Sequence, residues 1–214
     1  MTMIAENLHH VQTRITQACI QAGRAADAVR LLAVSKTFGA DAVAQAHAAG
    51  QVAFGENYIQ EAVDKIQALQ HLPLEWHCIG PIQSNKTRLV AEHFDWVHTV
   101  DRLKIAQRLS EQRPAHLAPL QVCIQVNVDG GVTKSGVASA EALALAQSVA
   151  LLPRLHLRGI MCIPEPAPDF VAACAVFSGA RALFDAMRLA GLPLDTLSMG
   201  MSSDLEAAIA SRSE

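Results

Sequence analysis

The chain has 214 residues, of which 51% are hydrophobic and 17% charged, and this composition excludes an intrinsically disordered protein. Seventeen lysine and arginine residues against 20 aspartate and glutamate residues give a net charge of −3 without a basic cluster, so we expect no nucleic-acid partner. The N-terminal stretch MTMIAENLHHVQTRITQ lacks the continuous apolar core of a signal peptide or a membrane span. We therefore expect a cytoplasmic protein that does not interact with membranes.

Seven short apolar segments in chain order predict β-strands: 29–35, 52–55, 76–80, 96–100, 120–127, 157–163 and 196–200. The segments around and between them have helical periodicity and predict helices over 4–22, 40–49, 57–69, 85–93, 102–112, 139–151, 170–190 and from 203 onward. Strands that are apolar on both faces and alternate with helices are typical of a parallel sheet covered by helices. The fold class is therefore α/β.

Two arrangements of such a sheet remain open, a closed barrel and an open doubly wound sheet. No GxGxxG motif follows any strand, which argues against a dinucleotide-binding open sheet. A (β/α)8 TIM barrel needs eight strands and about 250 residues. The chain supplies seven predicted strands, so we expect a single barrel domain over 1–214 that lacks its last strand.

The five cysteines are an odd number and include no CxxC pair. They predict free, mostly buried thiols in a reducing compartment rather than a disulfide framework. The nine histidines show no HxH or HExxH spacing, so we expect no metal site.

Candidate functional residues follow the carboxyl ends of the strands, where barrels of this class carry their active sites. Among five lysines, Lys36 alone directly follows a long apolar strand. Partial desolvation at the mouth of a barrel would make a lysine a good nucleophile for an imine, although a lysine that extends from a strand end into water is an equal alternative.

Other polar residues at these strand ends have two possible roles each. Asn57 could cap the following helix or direct its amide toward a ligand beside Lys36. His77 lies between apolar residues and is more often a core histidine than a ligand-binding one. Ser202 could cap the last helix or, with the free backbone N–H groups there, bind an anion such as phosphate.

The segments LLAVSKTF, FGENYIQEAVDK, WHCIGPIQSNKTR, HTVDR, LRGIMCIP and LSMGMSSDLEAAI resemble the YggS/PROSC family of pyridoxal 5'-phosphate (PLP) homeostasis proteins. The resemblance implies a barrel of the alanine racemase N-terminal type that holds PLP as a Schiff base on Lys36. It also implies cofactor-binding positions beyond this lysine: Asn57 beside the ring, His77 and Ser198 at the mouth, and Met201 and Ser202 at the phosphate.

The chain departs from the family pattern at two places. Gly131 stands where an acidic residue usually precedes Lys134, so we expect a looser loop there. Family members continue after the last helix into a stretch resembling STMVRIGTAIFG, which would form the eighth strand. We expect weaker PLP binding and a less stable barrel without it.

The resemblance implies a non-catalytic role in intracellular PLP (vitamin B6) balance, with PLP-dependent apoenzymes as possible recipients. A PLP-dependent amino-acid racemase or a Schiff-base lysine aldolase is the alternative. A racemase needs a base on each face of its substrate, and Tyr58 is the only tyrosine. An aldolase needs a nearby acid, for which Glu56 is the one candidate, although a salt bridge is the more ordinary role. We expect a monomer.

Overall fold

The computed structural model describes residues 2–131 and 135–211. The strands are β1 Ala33–Val34, β2 Ala53–Glu56, β3 Glu75–Cys78, β4 Trp96–Val100, β5 Leu120–Asn127, β6 Val137–Ala138, β7 Leu155–Met161 and β8 Thr196–Ser198. The helices are α1 Met3–Gln21, α2 Ala40–Ala48, α3 Ile59–Ala68, α4 Thr87–His93, α5 Leu103–Gln112, α6 Ser139–Ala150, α7 Phe170–Leu189 and α8 Leu205–Ala210.

Seven strands form one parallel sheet in the order β1-β2-β3-β4-β5-β7-β8, and this confirms the seven predicted strands and the α/β fold. The additional two-residue strand β6 pairs with the end of β5 and was not predicted. The predicted first strand over 29–35 is reduced to Ala33–Val34, because only these two residues pair with β2. The main core lies between the sheet and its helices, and every residue of β4 is buried.

The sheet is a half-barrel that is open between β1 and β8. Within the described residues, β1 pairs only with β2 and β8 pairs only with β7. The helices beside these edges, α1 and α8, pack against each other through Ile15, Cys19 and Ile209. This contact joins the helix that precedes the first strand to the helix that follows the last one.

Helix α7 is the longest helix and is apolar enough to cross a membrane by length and composition alone. Its first turn is capped by Asp169, whose side chain accepts a hydrogen bond of 2.8 Å from the amide of Ala172. Phe177, Phe184 and Met187 on one face are buried against the rest of the protein. The helix is therefore one of the layers that cover the sheet.

All five cysteines are free, as the sequence predicts; four are buried and Cys174 is half-buried. Burial raises the pKa of the Cys78, Cys123 and Cys162 thiols to about 12, so these side chains act as apolar packing groups. In the described part of the chain, no three His, Cys, Asp or Glu side chains are grouped in a way that could hold a metal ion.

Candidate functional site at the carboxyl end of the sheet

Lys36 lies two residues after Val34, the last residue of β1, and its side chain is exposed to solvent. The preceding Ser35 is buried, and the following Thr37 has a positive φ of 67°, a backbone conformation that residues with a side chain rarely adopt. Of the two alternatives for Lys36, the structure shows the lysine that extends into water, because among the described residues β1 pairs only with β2 and no strand covers its outer side. The amine is accessible, while the backbone that carries it is constrained.

A buried ion cluster, which we call the Lys65 cluster, holds the backbone before Lys36. Lys65 is only 5% exposed, and its Nζ donates to the carbonyl oxygen of Ser35 at 2.7 Å and to Oε1 of Glu56 at 2.7 Å. The Ser35 hydroxyl donates to the same Glu56 oxygen at 2.6 Å. Glu56 is therefore occupied by a buried salt bridge, the ordinary role that the sequence suggested.

The Lys65 cluster also holds the backbone after Lys36. Lys65 Nζ lies 2.6 Å from Oε1 of Glu61, which accepts a hydrogen bond of 2.9 Å from the amide of Thr37. The hydrogen bond from Lys65 lowers the pKa of the Glu61 carboxyl, so Glu61 is ionised at neutral pH. One lysine thus connects the two peptide groups that flank Lys36.

Asn57 lies at the end of β2, and its predicted capping role is wrong. Helix α3 begins at Ile59 with Tyr58 at the cap position, and no side chain caps it. The buried Oδ1 of Asn57 has no hydrogen-bond partner among the described residues. A β-carbon on Gly80 would overlap the carbonyl oxygen of Asn57, so glycine is required for the close approach of these two loops. The amide oxygen without a partner fits the alternative role of Asn57 in contacting a ligand.

His77 lies inside the half-barrel and is buried. Its Nε2 is 2.6 Å from Oε1 of Glu75, and its Nδ1 is 2.8 Å from Nε2 of His98. Nδ1 of His98 is 2.7 Å from the hydroxyl of Ser198, which ends β8. Since β4 and β8 are not neighbours in the sheet, this last contact crosses the concave interior. His77 is a core histidine by burial and is connected to the strand ends through His98.

Burial is the main influence on the charge of both rings. It lowers the pKa of His77, against the opposing effect of the Glu75 carboxylate. It lowers the pKa of His98 to about 3, and the neighbouring His77 contributes in the same direction. The hydrogen bond with His77 lowers the pKa of Glu75, assisted by Arg30 at 2.8 Å. Both rings are therefore neutral and Glu75 is ionised near neutral pH.

Met201 and Ser202 are exposed in the loop between β8 and α8. The last helix begins at Leu205, not at 203 as predicted, with Asp204 at its cap position. Asp204 Oδ1 accepts a hydrogen bond of 2.5 Å from the amide of Met201, and the carbonyl of Ser202 accepts one of 3.0 Å from Arg14. The Ser202 hydroxyl thus stands before the helix start, while the Met201 amide is already bonded to a carboxylate.

The loop after β5 contributes one further amide oxygen without a partner among the described residues. Asn127 donates through Nδ2 to the carbonyl of Gly131 at 2.8 Å, and its buried Oδ1 has no partner among the described residues. The looser loop predicted from Gly131 stays a prediction, because positions 132–134, which include Lys134, lie outside the described residues. Asn127 and Asn57 thus place two unpaired oxygens at strand ends of the same sheet edge.

Sequence reasoning missed Lys65, Glu61, Glu75 and His98 as parts of the site. The spacing of Glu61 and Lys65 by four residues on a helix is the signature of an ordinary exposed ion pair, so the pattern does not predict that Lys65 is buried. Nothing in the sequence distinguishes His98 from the other polar residues near the ends of the strands. The site brings Lys36, Asn57, Ser198, Met201 and Ser202 to one edge of the sheet, with His77 deeper inside.

Comparisons with known proteins show the family of this chain. The family model of the alanine racemase N-terminal domain matches residues 6–213. The pyridoxal phosphate homeostasis protein of Pseudomonas aeruginosa is 60% identical over 209 residues, which cover 98% of this chain and 90% of that protein. The pyridoxal phosphate homeostasis protein of Escherichia coli is 53% identical over 216 residues, covering 100% and 92%.

Solved structures show the same fold. PipY of Synechococcus elongatus without PLP is 36% identical with a TM-score of 0.85, covering 98% of this chain and 94% of that one. PipY with PLP bound gives a TM-score of 0.79 at 36% identity, covering 92% and 93%. Alanine racemase from Corynebacterium glutamicum is 18% identical with a TM-score of 0.59, and the match covers 89% of this chain and 52% of the racemase chain. This likeness shows a shared fold alone. The chain belongs to the pyridoxal phosphate homeostasis protein family, which has the fold of the alanine racemase N-terminal domain.

Proposed function

We propose that this protein binds PLP as a Schiff base on Lys36 and serves intracellular PLP (vitamin B6) homeostasis without catalysing a reaction. The observation that carries the proposal is the exposed amine of Lys36 on a backbone that the Lys65 cluster holds on both sides. The relative PipY, solved with PLP bound, supports the choice of cofactor. When bound, PLP supplies an aldehyde that condenses with a primary amine.

The residues at this edge fit the functional groups of PLP. Lys36 offers the amine, and the unpartnered oxygens of Asn57 and Asn127 can accept hydrogen bonds from a ligand. The exposed Ser202 hydroxyl and the loop beside Met201 are the proposed phosphate contacts. His77 contributes through its hydrogen bond to His98, and Ser198 contributes at the end of β8.

Two contacts or exposures in the structure and the names of the relatives support a non-catalytic role over the racemase or aldolase alternative. Tyr58, the only tyrosine, is 58% exposed at the start of α3 and lacks the burial of a positioned base. Glu56, the candidate proton donor beside Lys36, is committed to Ser35 and Lys65. The relatives are named as homeostasis proteins.

The proposal extends to a cytoplasmic monomer that exchanges PLP with PLP-dependent apoenzymes. Five free thiols support a reducing compartment. Size-exclusion chromatography with light scattering measures the oligomeric state, and transfer of PLP to an added apoenzyme measures delivery.

The absorption spectrum of the protein with PLP, followed by borohydride reduction and peptide mapping, tests the Schiff base. We expect an imine band and a label on Lys36, both lost in Lys36→Ala and retained in Lys104→Ala, a matched variant of an exposed lysine on α5. A label that persists in Lys36→Ala and maps to another lysine would refute the assignment. Racemisation of L-alanine that depends on Lys36 would refute the non-catalytic role.

A further inference from the structure

Four side chains form a continuous hydrogen-bonded chain through the concave side of the half-barrel. This barrel chain consists of Glu75, His77, His98 and Ser198, with contacts of 2.6, 2.8 and 2.7 Å in that order. Glu75 begins β3, and Ser198 ends β8. The barrel chain therefore connects the amino-terminal edge of the sheet with the edge that carries Lys36.

The direction of every hydrogen bond in the barrel chain follows from the charge of Glu75. An ionised carboxylate can only accept, so Nε2 of His77 carries the proton and donates to Glu75. A neutral ring has one donor and one acceptor, so Nδ1 of His77 accepts from Nε2–H of His98. Nδ1 of His98 must then accept from the Ser198 hydroxyl. The reverse direction requires an additional proton on His77.

The surroundings of the two rings oppose that additional proton. Trp96 stacks on His77 at 5.3 Å between ring centroids, and the guanidinium of Arg158 lies 4.7 Å from the Trp96 ring on β4. Burial dominates over the attraction of the nearby carboxylates and lowers the pKa of both rings. The groups that act on the two rings are Glu75 on β3, Arg30 before β1 and Asp95 before β4, and His77 also acts on His98.

We propose that the barrel chain fixes Ser198 as a hydrogen-bond acceptor toward the mouth of the half-barrel, so that this end of the site selects a protonated nitrogen or hydroxyl of its ligand. The hydroxyl proton of Ser198 points inward to His98, and only its oxygen lone pairs remain for a ligand. An unprotonated phosphate oxygen, which can only accept, is disfavoured there. Glu75, His77 and His98 act as positioning residues, because they act through Ser198.

The inference rests on the proposed function in taking PLP as the ligand, but its first test uses the protein without ligand. NMR of the full chain labelled with ¹⁵N-histidine distinguishes the two neutral tautomers and the charged ring. Near neutral pH we expect His77 and His98 both to carry their proton on Nε2. Glu75→Gln, whose amide can donate as well as accept, should give a mixture of tautomers at His77. A proton on Nδ1 of His98, or a doubly protonated ring, would overturn the inference.

The second test measures the proton affinity of bound PLP from the pH midpoint of its absorbance. We expect Glu75→Gln and Ser198→Ala each to lower the midpoint by about one pH unit, a tenfold loss of proton affinity. Combining Glu75→Gln with Ser198→Ala should shift the midpoint no more than either variant alone, because both changes interrupt the same series of hydrogen bonds. Ser198→Thr retains the hydroxyl and should retain the midpoint. His93 lies on α4 and is not part of the barrel chain, so His93→Gln should also retain the midpoint.

The possible outcomes separate the two proposals. Weaker PLP binding with unmoved midpoints would mean that Ser198 has a structural role only, and additive shifts would mean that the residues act independently; either result overturns the inference. A protein that forms no imine with PLP refutes the proposed function alone, because the tautomers of the ligand-free protein still decide the direction of the barrel chain.

Discussion

Replacement of Lys65 by methionine tests whether the Lys65 cluster stabilises the end of β1. Methionine is similar in length and apolar, so the change removes the ammonium group and little volume. The buried Glu56 carboxylate would lose its cation, while its Oε2 already lacks a partner among the described residues. Removing one partner of a buried ion pair costs about 3 to 5 kcal/mol. For a protein of this size, that corresponds to a fall in the thermal midpoint of about 6 to 20 °C.

Thermal and urea unfolding followed by circular dichroism measure this loss. Lys104→Met, the same change at an exposed position on α5, is the matched control and should unfold like the original protein. Combining Lys65→Met with Glu56→Gln should recover part of the stability, because an uncharged amide costs less to bury than an unpaired carboxylate. A loss below about 1 kcal/mol for Lys65→Met, the range of surface ion pairs, would refute the role of this cluster.

Two further predictions concern pH and packing. Burial lowers the pKa of His98 from 6.5 to about 3, so the unfolded chain binds more protons than the folded protein between these pH values. The free energy of unfolding should therefore fall as the pH is lowered through this window. His98 contributes up to about 1.4 kcal/mol per pH unit to this fall. His98→Gln should flatten urea-unfolding stability against pH there, and an unchanged slope would contradict the buried neutral ring. Gly80→Ala should lower the free energy of unfolding by about 1 to 3 kcal/mol, because the added β-carbon meets backbone atoms of Asn57. In Gly179→Ala, on α7, the added β-carbon meets nothing within 4 Å, so this variant should be as stable as the original protein or more stable. Equal thermal midpoints for the two glycine variants would contradict this prediction, because they would show that the loops of Asn57 and Gly80 can move apart to accept a β-carbon.

The strands were predictable because their apolar residues are contiguous in sequence. The residues of β4 and β5 coincide with the predicted segments, since strands buried on both faces contain long apolar runs. The first strand was overestimated, because an edge strand pairs on one side and the apolar residues before Ala33 pack against α1 and α8 instead. The two-residue β6 had no signal, as its pairing with β5 depends on the path of the preceding loop.

The position of Lys36 was also predictable from neighbouring residues, because a lysine that follows an apolar segment lies close to the end of the strand that this segment forms. The role of Asn57 was not decided by sequence, since an asparagine before a helix serves equally as a cap or as a ligand contact. The structure excludes the cap by starting α3 two residues later, and it leaves the amide oxygen without a partner among the described residues. The start of the last helix moved for a similar reason, as Asp204 rather than Ser202 takes the cap position.

The sequence by itself determined the order of strands and helices, the parallel sheet and the lysine at its edge, because each depends on residues that are neighbours in the chain. Only the tertiary structure decided which polar groups are buried together. Lys65 contacts the backbone of Ser35 across 30 residues, and His98 contacts Ser198 across 100. A buried polar group must find its partner wherever the fold places one, and no local pattern encodes where that is.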